Sequence, residues 1–162
     1  MPTRYWIGVV SREHVLRGVA GGFAQVGHGK GAPLRRMAPG DWLFYYSPKT
    51  SLDGGEALQA FTAAGRVAEG DVYQGEMTSD VHPLRRDVVF EPAAREAPIA
   101  PLKAQLSITA GNPRWGMAFR RGHLEVPEAD ARLIAEAMGF ALPSSEDDAP
   151  EGAPPYNMTS ST

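Results

Sequence analysis

Residues 40–48, GDWLFYYSP, are the stretch on which the fold turns. Gly40 and Asp41 supply turn chemistry at one end, Pro48 stops a ladder at the other, and the aromatic run between them reads as a strand over residues 41–47. Successive strand side chains point to opposite faces, so Trp42, Phe44 and Tyr46 share one face and Leu43, Tyr45 and Ser47 the other. The two sets cannot line one pocket. Most of these rings are therefore assigned to packing, where large aromatic side chains bury the most surface.

Toward the N-terminus, residues 27–40 are rich in Gly, Pro and basic side chains and read as a loop, and residues 23–26 as a short strand. Gly21-Gly22 stops a helix over residues 12–19 whose N-cap is Ser11, and residues 5–10 form an apolar first strand. Toward the C-terminus, residues 52–60, interrupted by Gly, are read as holding one helical turn. Residues 61–67 and 72–74 read as strands paired around the Glu69-Gly70-Asp71 turn. Residues 85–90 form another strand, Pro98 and Pro101 frame an extended connection, residues 102–106 a short helix, and residues 117–126 one strand or two. Pro127, with Glu128 and Asp130 beside it, opens a helix to Met138 in which Ala131, Ile134, Ala135 and Met138 share a face. Short strands with short helices at their edges predict an α+β fold built on a small mixed barrel.

A chain of 162 residues has room for one core. It has no cysteine, which excludes disulfides and thiolate chemistry and suits a cytoplasmic setting, and its N-terminal stretch reads as neither a signal peptide nor a membrane span. The formal charge of −3 is unevenly spread: Glu146, Asp147, Asp148 and Glu151 lie in residues 143–162, which hold no Lys or Arg, so residues 1–142 carry about +1. Such a body cannot hold polyanions through many phosphate contacts, so any nucleic-acid contact must be local. The acidic, Pro-rich tail over residues 143–162 has little to bury and is read as disordered. Its removal is expected to move the melting temperature by less than about 5 °C in a thermal melt; a larger drop would mean that it docks.

Eight segments in order, YWIGVVSREHV, GGFAQVGHGK, PLRRMAPGDWLFYYSP, FTAAGRV, VYQGEM, HPLRRDVVF, IAPLKAQLSI and WGMAFRRGHLEVPEADARLIAEAM, resemble the EVE domain family of the PUA-like superfamily. The resemblance implies an EVE domain over residues 1–142 with a PUA-like mixed β pseudo-barrel flanked by short helices. It also implies kinship with YTH readers of methylated adenine, and a module that recognises a modified base, flipped or unpaired, in DNA or RNA.

Base reading needs an apolar or aromatic slot, polar groups aimed at the base edge, and cations for the flanking phosphates. For the pocket the candidates are Ser11, Phe23, Gln25, Tyr45 and Trp115. Gln25 offers an amide edge, and Trp115 stands in a loop between Arg114 and Gly116 where packing does not obviously require it. Ser11 and Tyr45 are carried by the resemblance, in which a polar residue ending the first strand lies near the ligand, and so are Arg85 and Arg120 below, which resemble the family's basic strand entries. For phosphate contact the candidates are His28, Lys30, Arg35, Arg36, Arg85 and Arg120. Strand alternation lets only one of Arg85 and Arg86, and one of Arg120 and Arg121, face the pocket. Residues 28–31 are not a P-loop, because Ala24 stands where the first glycine belongs and Gly31 where Ser or Thr should follow Lys30.

One departure from the YTH relatives is that Phe23-Ala24-Gln25 carries no tryptophan cage wall. A smaller slot with an amide edge suits a modified pyrimidine better than methylated adenine. The alternative is a small ASCH-like enzyme acting on a nucleotide or nucleoside derivative, which requires an acid and a base within reach of each other. The chain has no H-E-x-x-H or G-x-S-x-G motif, and His14, His28, His82 and His123 lack metal-ligand spacing, which leaves Lys30 with Glu56 or Glu76 as the enzymatic candidates. No cofactor, metal or membrane partner is expected, and the domain is read as a monomer.

Overall fold

The computed structural model describes residues 2–25, 31–75 and 84–143. The aromatic stretch forms a strand, Trp42–Lys49 (β3), and it lies in the middle of the sheet. On one side β3 pairs in parallel with Tyr5–Val9 (β1), and on the other antiparallel with Ala57–Val67 (β4). The path continues from β4 to Leu84–Phe90 (β6) and then Phe23–Ala24 (β2), and from β1 to the edge strand His123–Val126 (β8). Two-residue strands Tyr73–Gln74 (β5) and Ala97–Pro98 (β7) hang on β6 and β4. One parallel pair among antiparallel ones makes the sheet mixed, as the pseudo-barrel expectation requires.

Because β3 is central, both of its faces are covered, and alternation along it separates two cores. Trp42, Phe44 and Tyr46 join Tyr5, Ile7, Phe61 and Leu124 in the first core. The helix Glu128–Ala137 (α3) lays Ala131, Ile134 and Ala135 on this core, with Met138 just beyond it, all essentially inaccessible. Burying Ile134 alone is worth roughly 2 to 3 kcal/mol. Leu43 and Tyr45 face the second core with Trp6, Ala24, Val67 and Val88. That core is closed by Val15 of the helix Arg12–Gly21 (α1), by Leu34 of the helix Gly31–Arg36 (α2), and by Met37 just after it.

Asp41, buried at the entry to β3, ties the parallel pair together. Its carboxylate accepts from the backbone N–H of Arg4 (3.1 Å), the backbone N–H of Ala38 (2.9 Å) and the indole Nε1 of Trp6 (3.0 Å).

Several sequence expectations need correction. Within the stretch read as loop, residues 31–36 are helical. Pro33 sits in the first turn, where its missing N–H is no loss, and the buried Arg86 donates to the carbonyls of Leu34 (3.0 Å) and Met37 (2.5 Å) at the far end. Residues 117–121 are not strand but part of a 3-10 helix, Trp115–Arg121, in which Trp115, Ala118 and Phe119 face the first core at three- and four-residue spacing. Gly122, at φ 76°, ends that helix and lets β8 begin. Third, β5 pairs with β6 and not with β4, because Val67 is already matched with Val88. Finally, Pro48 does not close β3, which continues to Lys49 through an irregularity opposite β4, the kind of position a sheet proline tolerates.

Residues 102–106 contribute only to a 3-10 turn, Ala100–Leu102, and the hydrogen-bonded turns after it. Pro143, counted with the tail, is held at its carbonyl by Arg132 Nη2 (2.9 Å). The rest of the tail lies outside the described residues. No helix among the described residues is long and apolar enough to cross a membrane.

Candidate nucleic-acid interface

Pairing of β2 with β6 sets Phe23 opposite Asp87 and Ala24 opposite Arg86, which delivers Gln25 to Arg85. The Arg85 guanidinium lies 3.9 Å over the Phe23 ring, and its Nε donates to Gln25 Oε1 at 2.5 Å. Stacking on the ring and bonding to the amide hold the guanidinium in one plane. Gly21 makes room for this arrangement, since a side chain there would collide with the Phe23 ring. Behind it, Tyr45 donates its hydroxyl to the Gln25 carbonyl (3.3 Å) and stacks on Phe90. Burial raises the Tyr45 pKa, so the hydroxyl remains a donor. Phe23, Gln25, Tyr45 and Arg85, four of the residues singled out in the sequence, thus meet at one corner. The neighbouring Arg86 turns inward and also donates to the Gly70 carbonyl (3.2 Å), so Arg85 is the member of the pair that remains at this corner.

Ser11 occupies the N-cap position of α1 with extended backbone, but its hydroxyl makes no capping bond. The expected side-chain cap is therefore absent. The first turn is closed instead by the Ser11 carbonyl, which accepts from the Val15 N–H, and Ser11 Oγ is buried with no hydrogen-bond partner. A hydroxyl in that position is desolvated without compensation.

Arg4, Arg12, Arg17 and Arg132 are paired with carboxylates. Among the described residues, Arg35 and Arg36 in the last turn of α2, and Arg114, Arg120 and Arg121 around the 3-10 helix, make no ion pair and are exposed. Arg114, Gly116, Met117 and Arg120 line a groove of about 420 Å³. Trp115 lies beside it, half-buried, its ring edge-on to Phe119 at 6.3 Å and covered by the Lys103 ammonium at 4.4 Å. Since Trp115 packs on the first core and Tyr45 belongs to the second, the fold does not bring these two pocket candidates together. His28 and Lys30 lie outside the described residues, as do His82 and Glu76.

Two residues were missed. His123 is buried at the start of β8, stacked on Trp6 at 4.8 Å and 9° between planes, and neither ring nitrogen has a partner among the described residues. Burial, assisted by the positive charge of Arg36, lowers its pKa to about 4. Gly8 faces it across the β1–β8 ladder. The available signal was a lone glycine inside the apolar run YWIGVV.

Residues 4–137 match the EVE domain. The chain belongs to the EVE domain family. Its relatives include the UPF0310 protein msl3206 of Mesorhizobium japonicum, 54% identical over 83% of this chain and 91% of that one. Another is the UPF0310 protein YdcG of Bacillus subtilis, 45% identical over 88% of this chain and 97% of that one. In fold, the EVE domain is similar to the YTH domain of Zygosaccharomyces rouxii MRB1, solved in complex with N6-methyladenosine RNA. The TM-score is 0.57 at 13% identity, over 86% of this chain and 89% of that one. It is also similar to Rpa0253 of Rhodopseudomonas palustris, with a TM-score of 0.52 at 18% identity over 85% and 94% of the two chains. The curled mixed sheet with short helices is thus shared with a YTH domain, and the PUA-like class expected from the sequence holds for this EVE domain.

Proposed function

We propose that this EVE domain is a nucleic-acid-binding module that recognises one modified base held out of its stack. The observation that carries the reading is the corner of Phe23, Gln25, Tyr45 and Arg85, where an aromatic face, an amide and an oriented guanidinium converge. These are the groups needed to stack a base, read its edge and hold the adjacent phosphate. The shared fold with a YTH domain solved on N6-methyladenosine RNA supports the same reading. Phenylalanine and an amide where those relatives carry a tryptophan wall favour a pyrimidine over a purine.

The test is a binding screen of single-stranded and duplex DNA and RNA oligonucleotides carrying 5-methylcytosine, 5-hydroxymethylcytosine or N6-methyladenine against unmodified controls. A preference for a modified pyrimidine is expected, with a slope of log affinity against log salt of about −2 to −4 because few phosphates are met. Arg120→Ala is expected to weaken every oligonucleotide alike and to flatten that slope by about 1. Equal binding of modified and unmodified oligonucleotides, or none at all, would defeat the reading, and a slope near about −8 would mean a far wider footprint.

A further inference from the structure

We propose that the base slot of this domain has its floor at Gly8 and that His123 supplies a hydrogen-bonding group at its wall, an inference that rests on the base-reading function above. The strand register carries the placement. Gly8 pairs with Tyr45 on β3 and with His123 on β8, so these three residues lie in one row across adjacent strands. Its same-face neighbours are Trp6 on β1 and Val10 just past the strand's end, both packed against the second core. Four side chains thus frame a position that has none: an indole, a phenol, an imidazole and an isopropyl group.

Gly8 sits within a regular strand paired on both sides, so no left-handed backbone conformation calls for glycine there. A glycine inside a strand weakens it, and such positions mark the close approach of a ligand or another chain segment. Strands lie about 4.8 Å apart, so Tyr45 and His123, two strands from each other, are separated by about 10 Å at the backbone. A ring stacked between two others needs about 4.5 Å or more to each centroid, which this backbone spacing matches.

His123 is the second, independent observation. It is 3% exposed, and both its nitrogens are buried without partners. An imidazole that bonds nothing destabilises the fold by the desolvation of its polar atoms, so packing does not account for it. Trp6 holds the ring from one face while being itself fixed by its bond to Asp41. With a pKa of about 4 the ring is neutral near pH 7, carrying one N–H donor and one bare nitrogen acceptor. Either can meet the carbonyl, ring nitrogen or amino group of a pyrimidine edge. Arg36, close enough for its charge to act on His123 and exposed at the end of α2, stands at the rim where the base's own phosphate would lie.

The test uses His123→Phe and Gly8→Ala in the full chain. Each is assayed for its urea midpoint and for affinity to single-stranded oligonucleotides carrying 5-methylcytosine, 5-hydroxymethylcytosine or N6-methyladenine and to an unmodified control. His123→Phe keeps a flat ring against Trp6 and removes both orphan nitrogens, so the midpoint should rise while affinity for the preferred oligonucleotide falls about tenfold. Gly8→Ala should hold or raise the midpoint and weaken the same oligonucleotide by a comparable factor, because its methyl group occupies the floor. In the wild type, the imidazole nitrogen NMR shifts of His123 should move on addition of the preferred oligonucleotide and not of the control. Wild-type affinity and base preference in His123→Phe would overturn the role of His123 while leaving the reader function standing. A lowered midpoint in Gly8→Ala would show protein packed over the floor and would overturn the slot. A wild type that binds none of the oligonucleotides would remove the reader function, and this inference with it.

Discussion

Asp41→Ala is expected to destabilise the domain by about 4 kcal/mol, read as a lower urea midpoint with an unchanged slope. The carboxylate is 2% exposed and accepts three hydrogen bonds, from the N–H groups of Arg4 and Ala38 and from the Trp6 indole. Alanine leaves those three donors buried or half-buried with nothing to bond, and each orphan carries its desolvation penalty. The loss falls on a critical joint. Arg4 immediately precedes β1, Asp41 immediately precedes β3, and the parallel pairing of those strands has no hairpin to enforce it. The backbone adds to the same joint, the Trp42 N–H donating to the Arg4 carbonyl at 3.0 Å. Asp41→Asn keeps an acceptor oxygen of similar shape and should recover more than half of the loss. Equal losses for the two substitutions would mean that geometry at this position matters less than charge.

The second large effect is loss of stability in acid through His123. Its pKa falls from 6.5 in the unfolded chain to about 4 in the fold, so between those values the unfolded state binds the extra proton. The contribution is therefore fully present above pH 6.5 and is lost as pH falls through the folded value near 4. At about 1.36 kcal/mol per unit the total is about 3 kcal/mol. Arg36 is the cation that opposes protonation from α2, and the stacked Trp6 supplies no carboxylate to relieve it. Urea midpoints across this range, taken for the wild type and for His123→Phe, isolate the effect, since the variant has no proton to take up at that site. Parallel curves for the two proteins would assign the acid sensitivity to other groups.

Much of the fold is legible along the chain because the relevant physics is local. Alternation in residues 42–47 separates the two cores as expected, and the three- and four-residue spacing of Ala131, Ile134, Ala135 and Met138 marks the buried face of α3 and the residue after it. Where two periods compete, the reading fails. Residues 117–121, read as the start of a strand, instead wind into a 3-10 helix because Phe119 must reach the first core while Arg120 and Arg121 stay in solvent. The helix α2, six residues long and opened by Gly and Pro, is too short to form on its own propensity. It is completed by an arginine 52 positions away from Leu34.

At the candidate site, residue chemistry in the sequence singled out Gln25, whereas Tyr45 and Arg85 came from the stretches that resemble the EVE domain family, and Phe23 from the segment next to Gln25. That they share a corner depends on the pairing of β2 with β6, which brings Gln25 to a partner 60 positions on. Trp115 illustrates the converse, because its aromatic character was plain but the face it serves was not. The sequence by itself determined which segments are strands and helices wherever periodicity, turn residues and caps act between near neighbours. Only the tertiary structure decided which cation is buried and which exposed, why Ser11 and His123 lack partners, and which side chains surround Gly8. Those properties depend on strand register and desolvation, and both arise from contacts between residues far apart in the chain.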